Sequence, residues 1–171
     1  ISFRNGIGVV GSTTIDEITT PERSFVKLGG VTVYAGLTYR RHGIPVAVVF
    51  EGWSAAGKGT LINELILPLD PRGFDVHSTL APNEEESLRP FLWRFWTRTP
   101  ARGRLGIFDR SWYQRVLTDR VNGTVEGPEL LQAFEDIRHF EQALSDDGFV
   151  ILKFFLHISK KEQKRRFELI Q

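Results

Sequence analysis

The sequence predicts an α/β fold, a parallel sheet flanked by helices on both faces. Three observations point to it. Four strand candidates recur along the chain, at Pro45–Phe50, Phe74–Leu80, Arg104–Asp109 and Phe149–Ile158. Segments with apolar residues at spacings of three and four separate them. A glycine-punctuated loop, Gly52–Gly59, joins the first of these strands to a helical segment. Alternation of strand, loop and helix is the pattern of a parallel sheet whose crossovers carry helices.

The elements follow in order. Ile7–Val10 is a short apolar run ending in Gly11 and reads as a strand. Ser12–Lys27 is mostly polar, with no clear period, and Gly29–Gly30 precede a helix over Val31–Arg41. Pro45–Phe50 is continuous, apolar and rich in β-branched valine, as a strand buried on both faces should be. After the glycine loop, Thr60–Leu67 places Leu61, Ile62, Leu65 and Ile66 at helical spacing. Pro68 stops that helix, and Pro71 keeps it from resuming. Asn83 caps the next helix with Glu86 as the reciprocal partner three residues on. Pro90 kinks or restarts it. Beyond that point Phe91, Leu92, Phe95 and Trp96 make an apolar stripe, with Arg94 and Arg98 on the other face. Pro100 and Gly103 end this stretch, and Ser111–Val121 continues as helix after the third strand. Pro128 suits the first turn of a further helix, whose Leu131, Phe134, Ile137 and Leu144 are expected to face a core. Ser159 with Glu162 forms a second capping box, which opens a basic helix through Arg166.

Composition narrows the function. The chain has 171 residues, enough for one domain with a sizeable core, and no cysteine. Disulfides and thiolate metal sites are thereby excluded, and a cytoplasmic location is expected. No window has the length and apolarity of a membrane helix, so no membrane is expected. The net charge of +1 does not indicate a specific nucleic-acid partner. The chain opens on Ile1 and holds no methionine, which reads as a fragment or a processed product.

Charge distribution says more than the sum. Eight arginines fall between Leu88 and Arg120, namely Arg89, Arg94, Arg98, Arg102, Arg104, Arg110, Arg115 and Arg120. Within that stretch only Asp109 and Asp119 oppose them. A solvated basic face is the plain reading. All eight being arginine favours a polyanion, because the planar guanidinium matches phosphate oxygens two at a time.

The strongest motif is Gly52-Trp53-Ser54-Ala55-Ala56-Gly57-Lys58-Gly59-Thr60, between a buried strand and a helix. This is the context of a phosphate-binding P-loop. Glycines let the backbone wrap a phosphate with its N–H groups inward. The helix N-terminus adds partial positive charge and Lys58 a full one. The common form has Ser or Thr directly after the lysine, to reach Mg2+. Here Gly59 stands there and Thr60 follows one place late. Asp109, at the end of the apolar run Leu105–Phe108, is then the metal-ligand candidate. A strand-end turn residue or an ion pair with Arg110 is the alternative for that aspartate.

These residues belong to a longer ordered series. Phe50-Glu51-Gly52-Trp53-Ser54-Ala55-Ala56-Gly57-Lys58-Gly59 is followed by Leu69-Asp70-Pro71-Arg72-Gly73 and Trp93-Arg94-Phe95-Trp96. Then come Phe108-Asp109-Arg110-Ser111-Trp112-Tyr113, Phe140-Glu141 and Lys153-Phe154-Phe155-Leu156-His157-Ile158-Ser159, with Glu162-Gln163 and Arg166-Phe167 behind. The series resembles the polyphosphate kinase 2 family over residues 44–171. The wording Leu92–Trp96 is similar to its polyphosphate:AMP phosphotransferase branch, whose members can carry two modules in tandem. The resemblance implies a P-loop kinase fold. It also implies Mg2+-dependent phosphoryl transfer between inorganic polyphosphate and a nucleoside mono- or diphosphate, AMP or ADP.

By position, the resemblance makes Lys58 a phosphate ligand, Asp109 the Mg2+ ligand and Arg110 a polyphosphate ligand, the three catalytic candidates. Gly52, Ser54, Ala55, Ala56, Gly57, Gly59 and Thr60 complete the expected phosphate cradle, with Arg115 and Arg120 beside it. Arg166 would belong to the base of a mobile lid, which the chain is expected to carry in truncated form. Gly59 matches the family, whereas Ser54 stands where the family has aspartate. Serine offers a hydroxyl but no carboxylate, so a catalytically degenerate phosphate-binding or assembly module is the alternative function. Trp93, Trp96, Trp112 and Tyr113 are candidates for base stacking, with core packing preferred for Trp93 and Trp96. The apolar helix Pro128–Leu144 offers a homo-oligomer interface.

Residues 1–43 differ from the rest. Gly8-Val9-Val10-Gly11-Ser12-Thr13-Thr14-Ile15-Asp16, Gly29-Gly30 and Tyr34-Ala35-Gly36-Leu37 resemble the opening of a ribokinase-like (PfkB) sugar kinase. Asp16, Gly29 and Gly30 match that family's sugar-contacting positions, and Tyr34 replaces an expected asparagine. The expected organisation is therefore a ribokinase-like fragment at 1–43 fused to a polyphosphate kinase 2-like domain at 44–171. A sugar-kinase fragment is the remaining functional alternative.

Overall fold

The computed structural model describes residues 13–19, 24–30 and 42–170. The strand expected at Ile7–Val10 and the helix expected at Val31–Arg41 lie outside them. Strands β1 (Thr13–Thr19) and β2 (Ser24–Gly30) form an antiparallel pair, with Thr13 opposite Gly30 and Thr19 opposite Ser24. The pair overlaps Ser12–Lys27, where the sequence shows no clear period. The isoleucines Ile15 and Ile18 are three apart, so the two-residue alternation of a half-buried strand is missing from the sequence.

The main sheet has four parallel strands in the order β4-β5-β3-β6. They are β3 (Val46–Gly52), β4 (Phe74–Ser78), β5 (Leu105–Asp109) and β6 (Val150–Leu156). The register sets Phe50 beside both Asp109 and Phe154, and Ser78 beside Asp109. All four strands therefore end on one edge. The first of them in sequence, β3, lies between β5 and β6: the connection from β3 runs past β5 to β4, and the one from β5 runs the other way past β3 to β6. Ligands of open parallel sheets bind at such a point, outside the carboxyl ends of the strands.

Alternate residues of β3 serve two cores. Val46, Val48 and Phe50 pack with Leu61, Ile62 and Leu65 of α1 (Lys58–Ile66). Ala47 and Val49 join Phe95, Phe108, Trp112 and Phe140 on the opposite face. That second layer comprises α3 (Trp93–Trp96), α4 (Gln114–Val121) and α5 (Gly127–Asp146). Each such aliphatic or aromatic side chain contributes about 1.5–3 kcal/mol when fully buried.

Element boundaries follow local chemistry. A 3-10 turn at Pro71–Gly73 is fixed by the Asp70 carboxylate, which accepts from Arg72 N–H at 3.0 Å. The capping box at α2 (Glu84–Ser87) forms in both directions: Glu86 N–H to Asn83 at 2.8 Å, and Asn83 N–H to Glu86 at 3.0 Å. In α5 the buried residues are Ala133, Ile137, Phe140 and Leu144, spaced four, three and four. Leu131 and Phe134, expected in that core, are 69% and 45% exposed. Phe134 lies one position, about 100°, from the buried stripe. At α6 (Lys160–Ile170) only half of the expected capping box forms, Glu162 N–H to Ser159 Oγ at 3.2 Å. The Glu162 carboxylate is taken instead by Arg165 and Arg166. Among the described residues no helix is long and apolar enough to cross a membrane.

Candidate active site at the strand ends

The glycine loop leaves β3 through a position that only glycine can occupy. Gly52 has φ 123°, and a Cβ there would lie 2.1 Å from the carbonyl oxygen of Leu156. Trp53 N–H then bonds that same carbonyl at 3.2 Å, which anchors the loop to β6. Ala55 and Gly57 both have positive φ, 59° and 97°, and Gly57 is the N-cap of α1 without a side-chain cap. The first-turn N–H groups of that helix therefore keep their capacity for an anion. The N–H of Ala56 is committed to Trp53 O at 3.2 Å. A Cβ at Gly59 would meet nothing within 4 Å, so the mouth of the loop is open there. Ser54 and Thr60 are exposed.

Lys58 is buried at the loop, and its ammonium donates to the carbonyls of Gly52 and Trp53, each at 3.0 Å. Burial lowers its pKa from the ordinary lysine value. Asp109 and Glu51 oppose that shift, and Arg110 adds to it. These four charged groups gather at the ends of β3 and β5.

Asp109 ends β5 as expected. Its Oδ1 is buried and has no hydrogen-bond partner. A desolvated carboxylate oxygen left unpaired is costly, and it fits a cation brought in with phosphate. Among the described residues no cluster of three or more His, Cys, Asp or Glu could hold a metal ion. Mg2+ is commonly held by one or two carboxylates together with phosphate oxygens of a bound ligand, and the Asp109 oxygen beside the phosphate loop suits that arrangement.

Arg110 turns the chain with φ 62°, and its exposed side chain has no partner among the described residues. Its N–H donates to Phe50 O at 2.9 Å, and its carbonyl accepts from Thr79 Oγ1 at 2.8 Å. Ser111 follows, fully buried, and donates its N–H (2.7 Å) and hydroxyl (2.8 Å) to Glu51 Oε1. Burial raises the Glu51 pKa above the ordinary carboxylate value, against the Ser111 bonds, Lys58 and Arg110.

Helix α6 braces the outer side of the loop. Arg166 Nη1 donates to Ala55 O and Ala56 O, both at 3.2 Å, and Gln163 Nε2 to Ser54 O at 3.0 Å. Arg166 thus reaches the loop backbone, with its Nε held by Glu162 at 2.6 Å.

The arginine-rich segment divides. Arg94, expected with the rest to meet a polyanion, is buried and pairs with Glu86, as does Arg98. Arg89 pairs with Glu85, Arg102 with Asp147, and Arg104 with Asp75. Arg115 pairs with Asp119 and Glu129. The acids outside the segment supply most of this pairing, so counting charges within it overstated the free cation. Only Arg110 and Arg120 have side chains without a partner among the described residues. Arg110 and Arg115 line a cavity of about 650 Å3 with Thr79, Leu80, Arg89 and Arg94. Arg120 lies outside that lining.

The aromatic candidates also separate. Trp112 is 1% exposed and donates to Glu141 at 3.0 Å, so it packs the core and offers no face to a base. Tyr113 is tied by its hydroxyl to Glu141 (2.7 Å) and Lys153 (2.8 Å). Trp93 lies beneath the Arg89 guanidinium, and Trp96 meets Phe140 edge-on at 4.7 Å. The half-exposed Trp53, at the loop itself and beside His157, was given no role from the sequence. Nor were Glu51 and Gln163, and Thr79 was not singled out. Only Glu51 carried a signal, an acid at the end of an apolar strand directly before the glycines.

The sequence profile described as Polyphosphate kinase 2 (PPK2) matches residues 30–170. The chain belongs to the polyphosphate kinase 2 family. It is 45% identical to the polyphosphate:AMP phosphotransferase of Pseudomonas aeruginosa over 130 residues, 76% of this chain and 26% of that protein. It is 38% identical to ADP-polyphosphate phosphotransferase 3 of Rhizobium meliloti over 128 residues, 75% of this chain and 45% of that protein. The polyphosphate kinase 2 crystal structure from Arthrobacter aurescens TC1 superposes with TM-score 0.73 at 34% identity, covering 81% of this chain and 50% of that one. The chain thus spans about a quarter to a half of the length of these relatives. The profile begins at residue 30, so most of the stretch resembling a sugar kinase lies outside the match.

Proposed function

We propose that this polyphosphate kinase 2-family chain transfers a phosphoryl group from inorganic polyphosphate to a nucleoside mono- or diphosphate, AMP or ADP, with Mg2+. The observation that carries the reading is the buried, unpartnered Oδ1 of Asp109, set with Lys58 and Arg110 beside a loop built for phosphate. The names of the relatives, a polyphosphate:AMP phosphotransferase and an ADP-polyphosphate phosphotransferase, support the choice of substrates.

In this mechanism the first-turn N–H groups of α1 bind the phosphates. Lys58 releases the Gly52 and Trp53 carbonyls to reach them. Asp109 Oδ1 would hold the Mg2+, which when bound neutralises charge on the phosphate oxygens. Arg110 lays its unpaired guanidinium along the donor polyanion. The cavity beside it, lined by Thr79, Arg94 and Arg115, takes the acceptor nucleotide. A phosphate oxygen of the acceptor attacks the terminal phosphorus in line, and the chain shortened by one phosphate departs. Arg166 keeps the loop in shape through the Ala55 and Ala56 carbonyls. A cytoplasmic location suits both substrates.

The test is ADP formation from AMP and long-chain polyphosphate, with and without Mg2+. Turnover that stops on chelation is expected. Polyphosphate binding without turnover would instead favour a binding module, the reading that Ser54 supports. In that event Ser54→Asp restores turnover if the missing carboxylate is the cause.

A further inference from the structure

Glu51 is a buried carboxylate that the proposed mechanism does not use. It is 8% exposed, and one of its oxygens takes two hydrogen bonds from the fully buried Ser111. Its sequence distance from Ser111 is 60 residues, so the contact is a deliberate bridge between the ends of β3 and β5. Ser111 directly follows Arg110, whose left-handed backbone is unfavourable for a residue with a Cβ. Such conformations persist only where the surroundings over-determine them. Three points do so here. Phe50 O fixes the Arg110 N–H, Thr79 Oγ1 fixes its carbonyl, and Glu51 fixes the next residue at both its N–H and its hydroxyl. The first two partners are neutral. Glu51 provides the charged acceptor, and charge-assisted bonds are the stronger kind.

We infer that Glu51 is a positioning residue for Arg110: through Ser111 it locks the turn that aims the free guanidinium at the polyphosphate. This rests on the donor reading given above. The role explains why a carboxylate is kept in a place where burial works against its ionised form. Arg110, unlike most arginines of its segment, makes no salt bridge among the described residues, and Glu51, which feels its charge, commits an oxygen to the turn instead.

The experiment is a double-mutant cycle on the full chain, read by calorimetric titration with tripolyphosphate and by turnover. Glu51→Gln keeps the shape and removes the charge. It should weaken tripolyphosphate binding about tenfold, the size of a charge-assisted bond reduced to a neutral one. Arg110→Ala should weaken it by at least as much. The double variant should bind within about twofold of Arg110→Ala alone, because residues acting through one another are not additive. Multiplying effects would overturn the inference, since Glu51 would then act by another route, such as the field at Lys58. Undiminished binding by Glu51→Gln would overturn it too. If that variant does not fold, Ser111→Ala enters the same cycle with the same criteria. Failure of the unaltered chain to bind tripolyphosphate would instead remove the donor reading on which the inference stands.

Discussion

The ends of β3 and β5 lie side by side, and each turns the chain through a left-handed non-glycine residue. Ala55 does so at φ 59° and Arg110 at φ 62°. The means differ. The β3 turn is flanked by Gly52 and Gly57, whose own positive φ values make its path accessible from local composition. The β5 turn has no glycine. Its shape is imposed by Phe50, Thr79 and, through Ser111, Glu51, which lie 31 to 60 residues away in sequence. The loop's path is thus open to its own residues, with Arg166 and Gln163 bracing its carbonyls, whereas the arginine turn is imposed by the tertiary structure around it. The first presents backbone N–H groups. The second presents a side chain, and a side chain must be aimed.

The two ends also carry carboxylates in opposite conditions. Asp109 has a buried oxygen with no partner, while Glu51 spends one oxygen on two donors. If Asp109 serves the reaction and Glu51 serves the turn, Asp109→Asn should cost the most. Loss of one preorganised charged group at a transition state lowers kcat by about 10²- to 10³-fold. Lys58→Ala should fall in the same range. For both, steady-state turnover of AMP with polyphosphate at saturating Mg2+ is the measurement. A loss below fivefold at Asp109 would place the cation elsewhere.

The next effect in size separates the turns by stability. Gly52→Ala forces a Cβ to 2.1 Å from Leu156 O, a backbone atom that cannot swing away. A destabilisation of about 3 kcal/mol or more is expected from combined clash and strain. Arg110→Gly should act in the opposite direction. It relieves a left-handed residue, partly offset by the added freedom of glycine in the unfolded chain, for a net gain below about 1 kcal/mol. Urea unfolding measures both. The comparison sharpens if Arg110→Gly is the more stable protein and the poorer enzyme, because strain would then be retained for function.

The same contrast explains what the sequence disclosed. Gly52–Gly59 was legible because its chemistry is contiguous: strand, glycines, lysine and helix lie within one short stretch. Asp109 was legible as the acid closing an apolar run. The parallel sheet followed from continuous apolar runs such as Val46–Phe50. What was hidden depends on distant partners. Glu86 neutralises Arg94 and Arg98 from another helix, and Asp75 meets Arg104 across 29 residues. Charge counted along the chain could not reveal that pairing. Trp112 carries the same amino acid as the exposed Trp53, and only packing beside Phe95, Phe108 and Phe140 distinguishes it.

The smallest expected effect concerns the brace on the loop. Arg166 is oriented by Glu162, whose carboxyl is held at about 2, below the ordinary 4.5, first by its bond to Arg165 and then by Arg166. A carboxylate with a depressed folded pKa adds stability above its unfolded value and loses it as pH falls through the folded one. The pair is exposed, so its contribution is small and screened by salt. Glu162→Gln should therefore lower Tm slightly and by a constant amount from pH 7 down to about the ordinary carboxylate value. Below that the two melting curves should converge, meeting as the pH approaches 2. Thermal unfolding of both proteins across that range is the measurement. A difference that grows on acidification would mean that Glu162 opposes the fold and that Arg166 holds the loop carbonyls unaided. In that case the P-loop would need no help from α6, and its shape would rest on its glycines alone.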